Sequence, residues 1–537
     1  MTKKQKVFKD FFGVYKYKLL LKQAIILFLQ TLALSLVSLG TSLVLTFYNR
    51  VWHIDNSYNG MYFYSISKVY TTYRIILFTP MIYQLGVLII ASNLYGKNKL
   101  KEIAILLRST IYISLIINAL FFSMMFFIIP YMLSASGVRN QPIYTWNSQN
   151  DLNIYFDNLK VAKQNNLGLD KFDPLLLNGG TINGIKFNNS NAFKAIVNES
   201  RFIILFTRVA GIELFIFSIG QVLCASLQAT NKSIYSTIAY SLGLLFRLFW
   251  TSIIVFGIRN SNPLALAFEG IIGSTIQLLL ALIFAYIFIF KKEENHLRIL
   301  KENINFKFIR KVLLLGFPIA LETGVWFIMQ FLLGRVIPSS NLSDKYIGLY
   351  KVIGSVFGII ESFIFGISYV TSSEIAKELG KNNIEEAKLV ERSLFKLAIY
   401  GQIIFGIIGI ILTYPLLKIF AIDTQTINKY GYWLMLIVSL IIITDTGNMV
   451  TLRALWGANI VWLPVLVSVI SMIGLQIGAT SLLQYSWLNN HIDVSSDLYF
   501  FMFYLSTMVD PITRTITYKL IWNSKIKKGK IISRNYL

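Results

Sequence analysis

The residues of this chain that could do chemistry stand out because they interrupt apolar runs. Arg74, Arg208, Glu213, Arg247, Glu269, Glu322, Lys351, Glu361, Asp445, Asp510 and Arg514 all fall within predominantly apolar stretches. If those stretches cross a bilayer, each charge costs about 2.5–3.5 kcal/mol on insertion scales, so it should face a partner or a water-filled cavity rather than lipid. Glu322 is the first candidate to hold a cation or a proton. It follows Pro318 by four residues, and a proline removes one helical hydrogen bond, freeing a carbonyl beside which a carboxylate could hold a cation or a proton. The alternative for Glu322 is an ion pair. Asp445 is the second candidate, because Thr444, Thr446, Gly447 and Asn448 place further polar groups on the same stretch. Asp510 and Arg514 stand at i and i+4 and are expected to pair on one helical face as architecture. Arg208 and Glu213 lie about 140° apart around a helix, so each should meet a partner on another helix. Arg247, Glu269 and Arg74 complete the cavity or pairing candidates.

Metal and redox chemistry find little support. The three histidines, His53, His296 and His491, are far apart, and the single cysteine, Cys224, lies inside an apolar run, so neither a metal site nor a disulfide is expected. Asp151, Asp157, Asp170 and Asp173 are scattered through one polar stretch without metal-ligand spacing, which argues against a membrane-embedded transferase or any other enzyme.

The elements that must position these charges follow from composition. Of 537 residues 55% are hydrophobic and only 14% charged, against about 25% charged in ordinary soluble proteins. Apolar runs long enough to cross ~30 Å of hydrocarbon recur at roughly 24–48, 67–94, 104–133, 202–226, 233–256, 264–290, 312–335, 346–376, 393–420, 430–452, 460–483 and 497–520. A net charge of +24 would suit nucleic acid, but its placement suits a membrane instead. Seven basic residues precede the first span, four lie in 96–108, seven in 291–311, five in 377–396 and six from Lys519 onward. Those segments are expected to be cytoplasmic, with both termini inside. Residues 1–22, with Phe8, Phe11 and Tyr15 among the lysines, read as a basic amphipathic segment on the membrane surface.

The chain is also duplicated. Tyr95-Gly96-Lys97-Asn98 and Leu379-Gly380-Lys381-Asn382 lie 284 residues apart, as do Arg108 and Arg392, whereas Arg50 and Arg335 lie 285 apart. Corresponding helices keep their order and orientation, so the prediction is an all-α polytopic membrane protein of twelve transmembrane helices in two parallel six-helix repeats. The N-lobe would occupy 23–290, a cytoplasmic linker 291–311, the C-lobe 312–521 and a basic tail 522–537. Leu227-Gln228-Ala229 and Leu452-Arg453-Ala454 lie only 225 apart, a shortfall of 59 from 284, which matches a polar extracytoplasmic insertion at 134–200. That insertion is either a solvated loop or a small lid or partner-binding subdomain.

Three of these landmarks resemble the multidrug and toxic compound extrusion (MATE) family, within the wider group of multidrug, oligosaccharidyl-lipid and polysaccharide exporters. Gly316-Phe317-Pro318-Ile319-Ala320-Leu321-Glu322 resembles the G-x-P-x-A-x-E opening of the family's seventh helix. Leu379-Gly380-Lys381-Asn382 with Glu386-Ala387 resembles the loop after its eighth, and Leu452-Arg453-Ala454-Leu455-Trp456-Gly457 the end of its tenth. The resemblance implies a cation-coupled (H+ or Na+) antiporter that exports drugs or other organic solutes by rocker-switch alternating access. It would work as a monomer in the lipid bilayer of a bacterial cell membrane, with no cofactor beyond the coupling ion and no nucleic-acid partner. Two departures matter. Leu39-Gly40-Thr41 stands where many members carry V-D-T, so the N-lobe carboxylate is missing; Gly457-Ala458-Asn459 stands where Gly-Asp-Thr is common. Coupling is therefore expected to rest on the C-lobe. A lipid or oligosaccharide-lipid flippase of the same group is the alternative, kept open by Arg74, Arg208 and Arg247; a non-transporting scaffold is another.

Overall fold

The computed structural model describes residues 17–51, 78–135, 142–146, 149–165, 167, 174–189, 193–254, 263–291, 304–339, 344–419, 424–489 and 495–527. Arg74, the three histidines, residues 1–16, most of the 291–311 linker and 528–537 lie outside them. The first repeat opens with α1 (Tyr17–Val51), α2 (Phe78–Gly96) and α3 (Leu100–Ala135). The insertion then contributes β1 (Pro142–Trp146), α4 (Gln149–Gln164), α5 (Pro174–Asn178), β2 (Gly180–Ile182), β3 (Ile185–Phe187) and β4 (Phe193–Asn198). Helices α6 (Glu199–Ala229), α7 (Ser233–Ser252) and α8 (Phe268–Ala285, continued by the wide turn Tyr286–Phe290) complete the half. The second repeat comprises α9 (Phe306–Ser339), α10 (Asp344–Gly380), α11 (Ile384–Ile411), α12 (Thr413–Ile419), α13 (Thr424–Gly457), α14 (Trp462–Leu488), α15 (Ser496–Ser506) and α16 (Val509–Lys527).

Among the described residues, nine helices are long and apolar enough to cross a bilayer. Helices α2 and α7 and the broken pair α15–α16 complete the twelve positions of the repeat. The last span, expected as one rod, breaks at Thr507-Met508; Pro511, which has no N–H to give, sits in the first turn of α16 where none is needed. The ninth span likewise breaks, at Leu412.

Packing repeats along with sequence. In the first half α1 packs on α7, α2 on α3 and α6, α3 on α6, and α8 on both α6 and α7. The second half reproduces this as α9 on α14, α10 on α11 and α13, α11 on α13, and α16 on α13 and α14. Between halves, α1 on α10 is answered by α9 on α2, with α2 and α10 meeting on the axis.

One turn type explains the matched landmarks. Asn98, Asn231, Asn382 and Asn459 all have φ near +60° (58°, 63°, 60° and 61°). Each follows a helix whose late carbonyls are taken by backbone N–H groups of the turn, as in Lys99 N to Leu94 O, Lys232 N to Leu227 O, Asn383 N to Glu378 O and Ile460 N to Leu455 O. Asparagine tolerates this left-handed position better than other side chains, so it ends the helix without glycine. The turns correct one register. Asn231 matches Asn459, an offset of 228 rather than 225, so the first half carries about 56 extra residues rather than 59.

The insertion leaves from the end of α3 opposite the basic turns and folds on its own small core of Tyr155, Leu159, Ala162, Leu176 and Phe187. Strand β1 pairs antiparallel with β4, while β2 and β3 form a hairpin turned by Asn183 and Gly184 at positive φ. Asn158 ties these pieces together, donating to the carbonyls of Leu176 and Asn188 and accepting from Asn188 N. It is a subdomain rather than a bare loop.

Candidate functional site

The C-lobe holds a buried polar cluster drawn from four helices. Helix α16 presents Asp510 and Arg514 one turn apart, and Arg514 Nε donates to Asp510 Oδ1 at 2.8 Å while a second guanidinium nitrogen contacts Oδ2. The third nitrogen of the fork, Nη1, reaches Asn448 Oδ1 at 2.9 Å on α13 and Glu322 Oε1 at 3.4 Å on α9. Glu322 also accepts from Ser468 Oγ of α14 at 3.1 Å, and Ser468 shares a 2.6 Å hydrogen bond with Tyr518. Asp445 accepts from Asn448 Nδ2 at 2.8 Å. The amide of Asn448 thus spans the two sequence candidates, accepting from Arg514 on one side and donating to Asp445 on the other. Sequence places them 123 residues apart; the fold gathers Glu322, Asp445, Asp510 and Arg514 around one guanidinium.

Close backbone approach makes this gathering feasible. A Cβ on Gly447 would strike Thr515, whose hydroxyl donates to Thr444 O and accepts from Asn448 N. Glycine there lets α16 lie against α13, so Arg514 arrives at Asn448. On the far side of Asp445, Glu361 of α10 is buried with no hydrogen-bond or ion-pair partner among the described residues, and Asp445 is the charged group that acts on it. Deeper along α13, the Arg453 guanidinium lies 4.4 Å from the Trp456 ring and 5.2 Å from that of Tyr369. Ring faces supply the attraction that no hydrogen bond gives to its Nε and Nη1.

The N-lobe candidates form a different arrangement. Arg247 of α7 bonds Glu213 of α6 directly, and Ser274 of α8 donates to Glu213 at 3.0 Å and accepts from Arg247 at 2.8 Å. Gly270 and Gly273 leave the space for this pair, since a Cβ on either would collide with Glu213 or Arg247. Glu269 accepts from Thr251 at 2.6 Å. Arg208 turns away from Glu213 and lies 3.8 Å over the Phe126 ring of α3.

The seam between the lobes is reciprocal at the end that carries the basic turns. Gly96 rests on the Lys377 carbonyl and Gly380 on the Asn93 carbonyl, so a Cβ on either would enter the partner's backbone. Lys377 Nζ is buried and bonded to Asn231 Oδ1 at 2.5 Å and Glu374 at 2.6 Å, while Gln23 donates to the same Asn231 oxygen at 3.0 Å. Further along, Ser92 meets Ser373, Gly316 lies on Ile82 O, and the Thr31 and Ser35 hydroxyls reach the Ser362 and Gly358 carbonyls. Sequence reading missed Lys377 and Asn231 because nothing local marks a contact made 146 residues away. It also missed Glu391, which joins Thr451 and Lys519 at the end of the C-lobe.

Residues 316–480 match the MatE family model. Among curated proteins none matches the sequence significantly. Solved structures match the fold over nearly the whole chain at low identity. A crystal structure of MATE in complex with MaL6 is 12% identical, with a TM-score of 0.73 over 96% of this chain and 97% of that one. An outward-facing multidrug resistance MATE family transporter of the MOP superfamily is 12% identical, with a TM-score of 0.71 over 95% and 96%. A MOP superfamily transporter from Pyrococcus furiosus, described as having a binding pocket of reverse polarity, is 12% identical, with a TM-score of 0.72 over 96% of each chain.

Proposed function

We propose that this chain is a membrane secondary transporter that exports organic solutes, because residues 316–480 match the MatE family model and its fold is that of MATE transporters over almost its full length. The lobes rock about the seam between α1, α2, α9 and α10, and the basic-turn end is closed in the arrangement described here. The observation that carries the coupling part is the charge imbalance of the C-lobe. Arg514 is shared by Asp510 and Glu322, Asp445 reaches it only through Asn448, and Glu361 has no partner among the described residues. A cation or proton entering this cluster would satisfy charge that Arg514, and Arg453 acting on Glu322 from further along α13, leave over among the described residues. The N-lobe offers no such surplus at Glu213, which Arg247 already neutralises, and Gly40 brings no carboxylate to α1.

The test is substrate flux in proteoliposomes with an imposed proton or sodium gradient, using organic cations such as fluorescent dyes. Gradient-dependent export supports the reading; equal flux with and without either gradient contradicts coupling. Of the three arginines that suggested the flippase alternative, Arg247 is engaged by Glu213 and Arg208 by Phe126, while Arg74 lies outside the described residues. Translocation of a labelled anionic lipid in the same vesicles, without dye export, would favour that alternative.

A further inference from the structure

Comparison of the two copies of the seam exposes a site that is filled in one repeat and open in the other. In the second repeat each lysine at the end of α10 has a carboxylate one turn behind it: Lys377 bonds Glu374 at 2.6 Å and Lys381 bonds Glu378 at 2.9 Å. Lys377 also fills the space beside the Asn231 turn. Shifting by 284 residues, the counterparts in α2 are Asn93 for Lys377, Ile90 for Glu374, Leu94 for Glu378 and Lys97 for Lys381. The long lysine has become a short asparagine, and both acids have become apolar.

What results is a partly open groove between the end of α2, the start of α9 and the Asn459 turn. Ile90, Leu94, Phe308 and Leu315 form its walls, and Lys97 and Lys311 stand over it. Neither lysine has a carboxylate partner among the described residues. Among the described residues the charges that act on Lys311 are Lys97, Lys99 and Lys307 and one acid, Glu102, which Lys99 binds at 2.7 Å. An apolar trough with two uncompensated ammonium groups at its mouth is complementary to a molecule with a hydrocarbon body and an anionic head. Leu314, which also lines the trough, and the nearby Phe306 and Lys307 are exposed on α9, so the trough borders an exposed surface of that helix.

We propose that this groove holds one anionic phospholipid from the leaflet on the basic-turn side, its phosphate between Lys97 and Lys311 and its acyl chain along Ile90, Leu94 and Phe308. The lipid does for the first repeat what Lys377 with Glu374 and Glu378 does for the second. It fills the gap beside the turn and balances the charge, bridging α2 of one lobe to α9 and the Asn459 turn of the other.

Native mass spectrometry of the purified full chain tests this directly, with phosphatidylglycerol and phosphatidylcholine titrated at matched acyl chains. The wild-type chain should retain one phosphatidylglycerol that phosphatidylcholine and inorganic phosphate do not displace. Lys97→Gln with Lys311→Gln should weaken that retention by about thirtyfold, while Lys97→Arg with Lys311→Arg should keep it. Asn93→Lys, which restores the side chain of the filled copy, should expel the lipid. Equal retention of phosphatidylcholine by the wild-type chain, displacement by inorganic phosphate alone, or wild-type retention in a folded double glutamine variant would each overturn the proposal. The wild-type comparison decides even where a variant fails to fold.

Discussion

The two lobes share a packing pattern but not a charge balance. In the N-lobe one arginine, Arg247, meets one carboxylate, Glu213, with Ser274 bonded to both, and the other acid, Glu269, is held by Thr251. In the C-lobe one arginine, Arg514, serves Asp510 and Glu322 directly and Asp445 through Asn448, with Glu361 beyond. Duplication therefore supplied the same helical frame twice, and among the described residues more carboxylates gather about Arg514 than about Arg247. A balanced pair can hold helices together; an unbalanced cluster can also respond to an added cation.

The largest expected effect comes from removing the shared cation. Arg514→Gln leaves Asp510 and Glu322 buried without a counter-charge, a loss of about 3–5 kcal/mol, and should abolish monodisperse protein in detergent. Arg247→Gln takes the arginine from Glu213, which keeps its bond from Ser274, so thermal unfolding should show a smaller loss. Equal losses would erase the contrast between the lobes.

Next in size are the seam glycines. Because Gly96 and Gly380 make the same contact with opposite partners, Gly96→Ala and Gly380→Ala should each cost about 1–3 kcal/mol of the closed arrangement. Hydrogen exchange should rise in both basic turns for either variant. A rise confined to the mutated lobe would mean that the seam is not reciprocal.

The smallest effect is a gain. Glu361 is buried next to Asp445 without a hydrogen bond from any described residue, so Glu361→Gln removes a like charge and should raise the melting temperature slightly. A marked fall would reveal a partner for Glu361 and shrink the C-lobe surplus.

Much of this organisation is legible in the chain itself, and the exceptions have physical reasons. The offset of 284 can be read because Gly96 and Gly380, and Asn98 and Asn382, occupy positions where backbone approach or a left-handed φ restricts the choice of residue. The register near 227 and 452 reads three residues off in the sequence, since Leu452-Arg453-Ala454 and Leu455-Trp456-Gly457 are successive helical turns of similar character. The turn asparagines resolve it. The insertion's core follows an i, i+4, i+7 pattern at Tyr155, Leu159 and Ala162 that its polar surroundings mask. In the site, Asp510 and Arg514 can be paired by helical spacing, but Ser468, Tyr518 and Asn448 enter only through tertiary packing. Lys377 is equally hidden, as its partners come from its own turn and from the opposite lobe.

The central claim is that coupling resides in the C-lobe cluster, and the most direct measurement is gradient-driven flux by Glu322→Gln with Asp445→Asn, set against Glu213→Gln with Arg247→Gln, in proteoliposomes of equal protein content. The amides nearly preserve shape while removing charge. The account predicts that the C-lobe double variant folds, binds substrate and loses most of its gradient-dependent export, whereas the N-lobe variant retains gradient dependence. Full gradient dependence in the C-lobe variant, or its loss in the N-lobe variant alone, would contradict it.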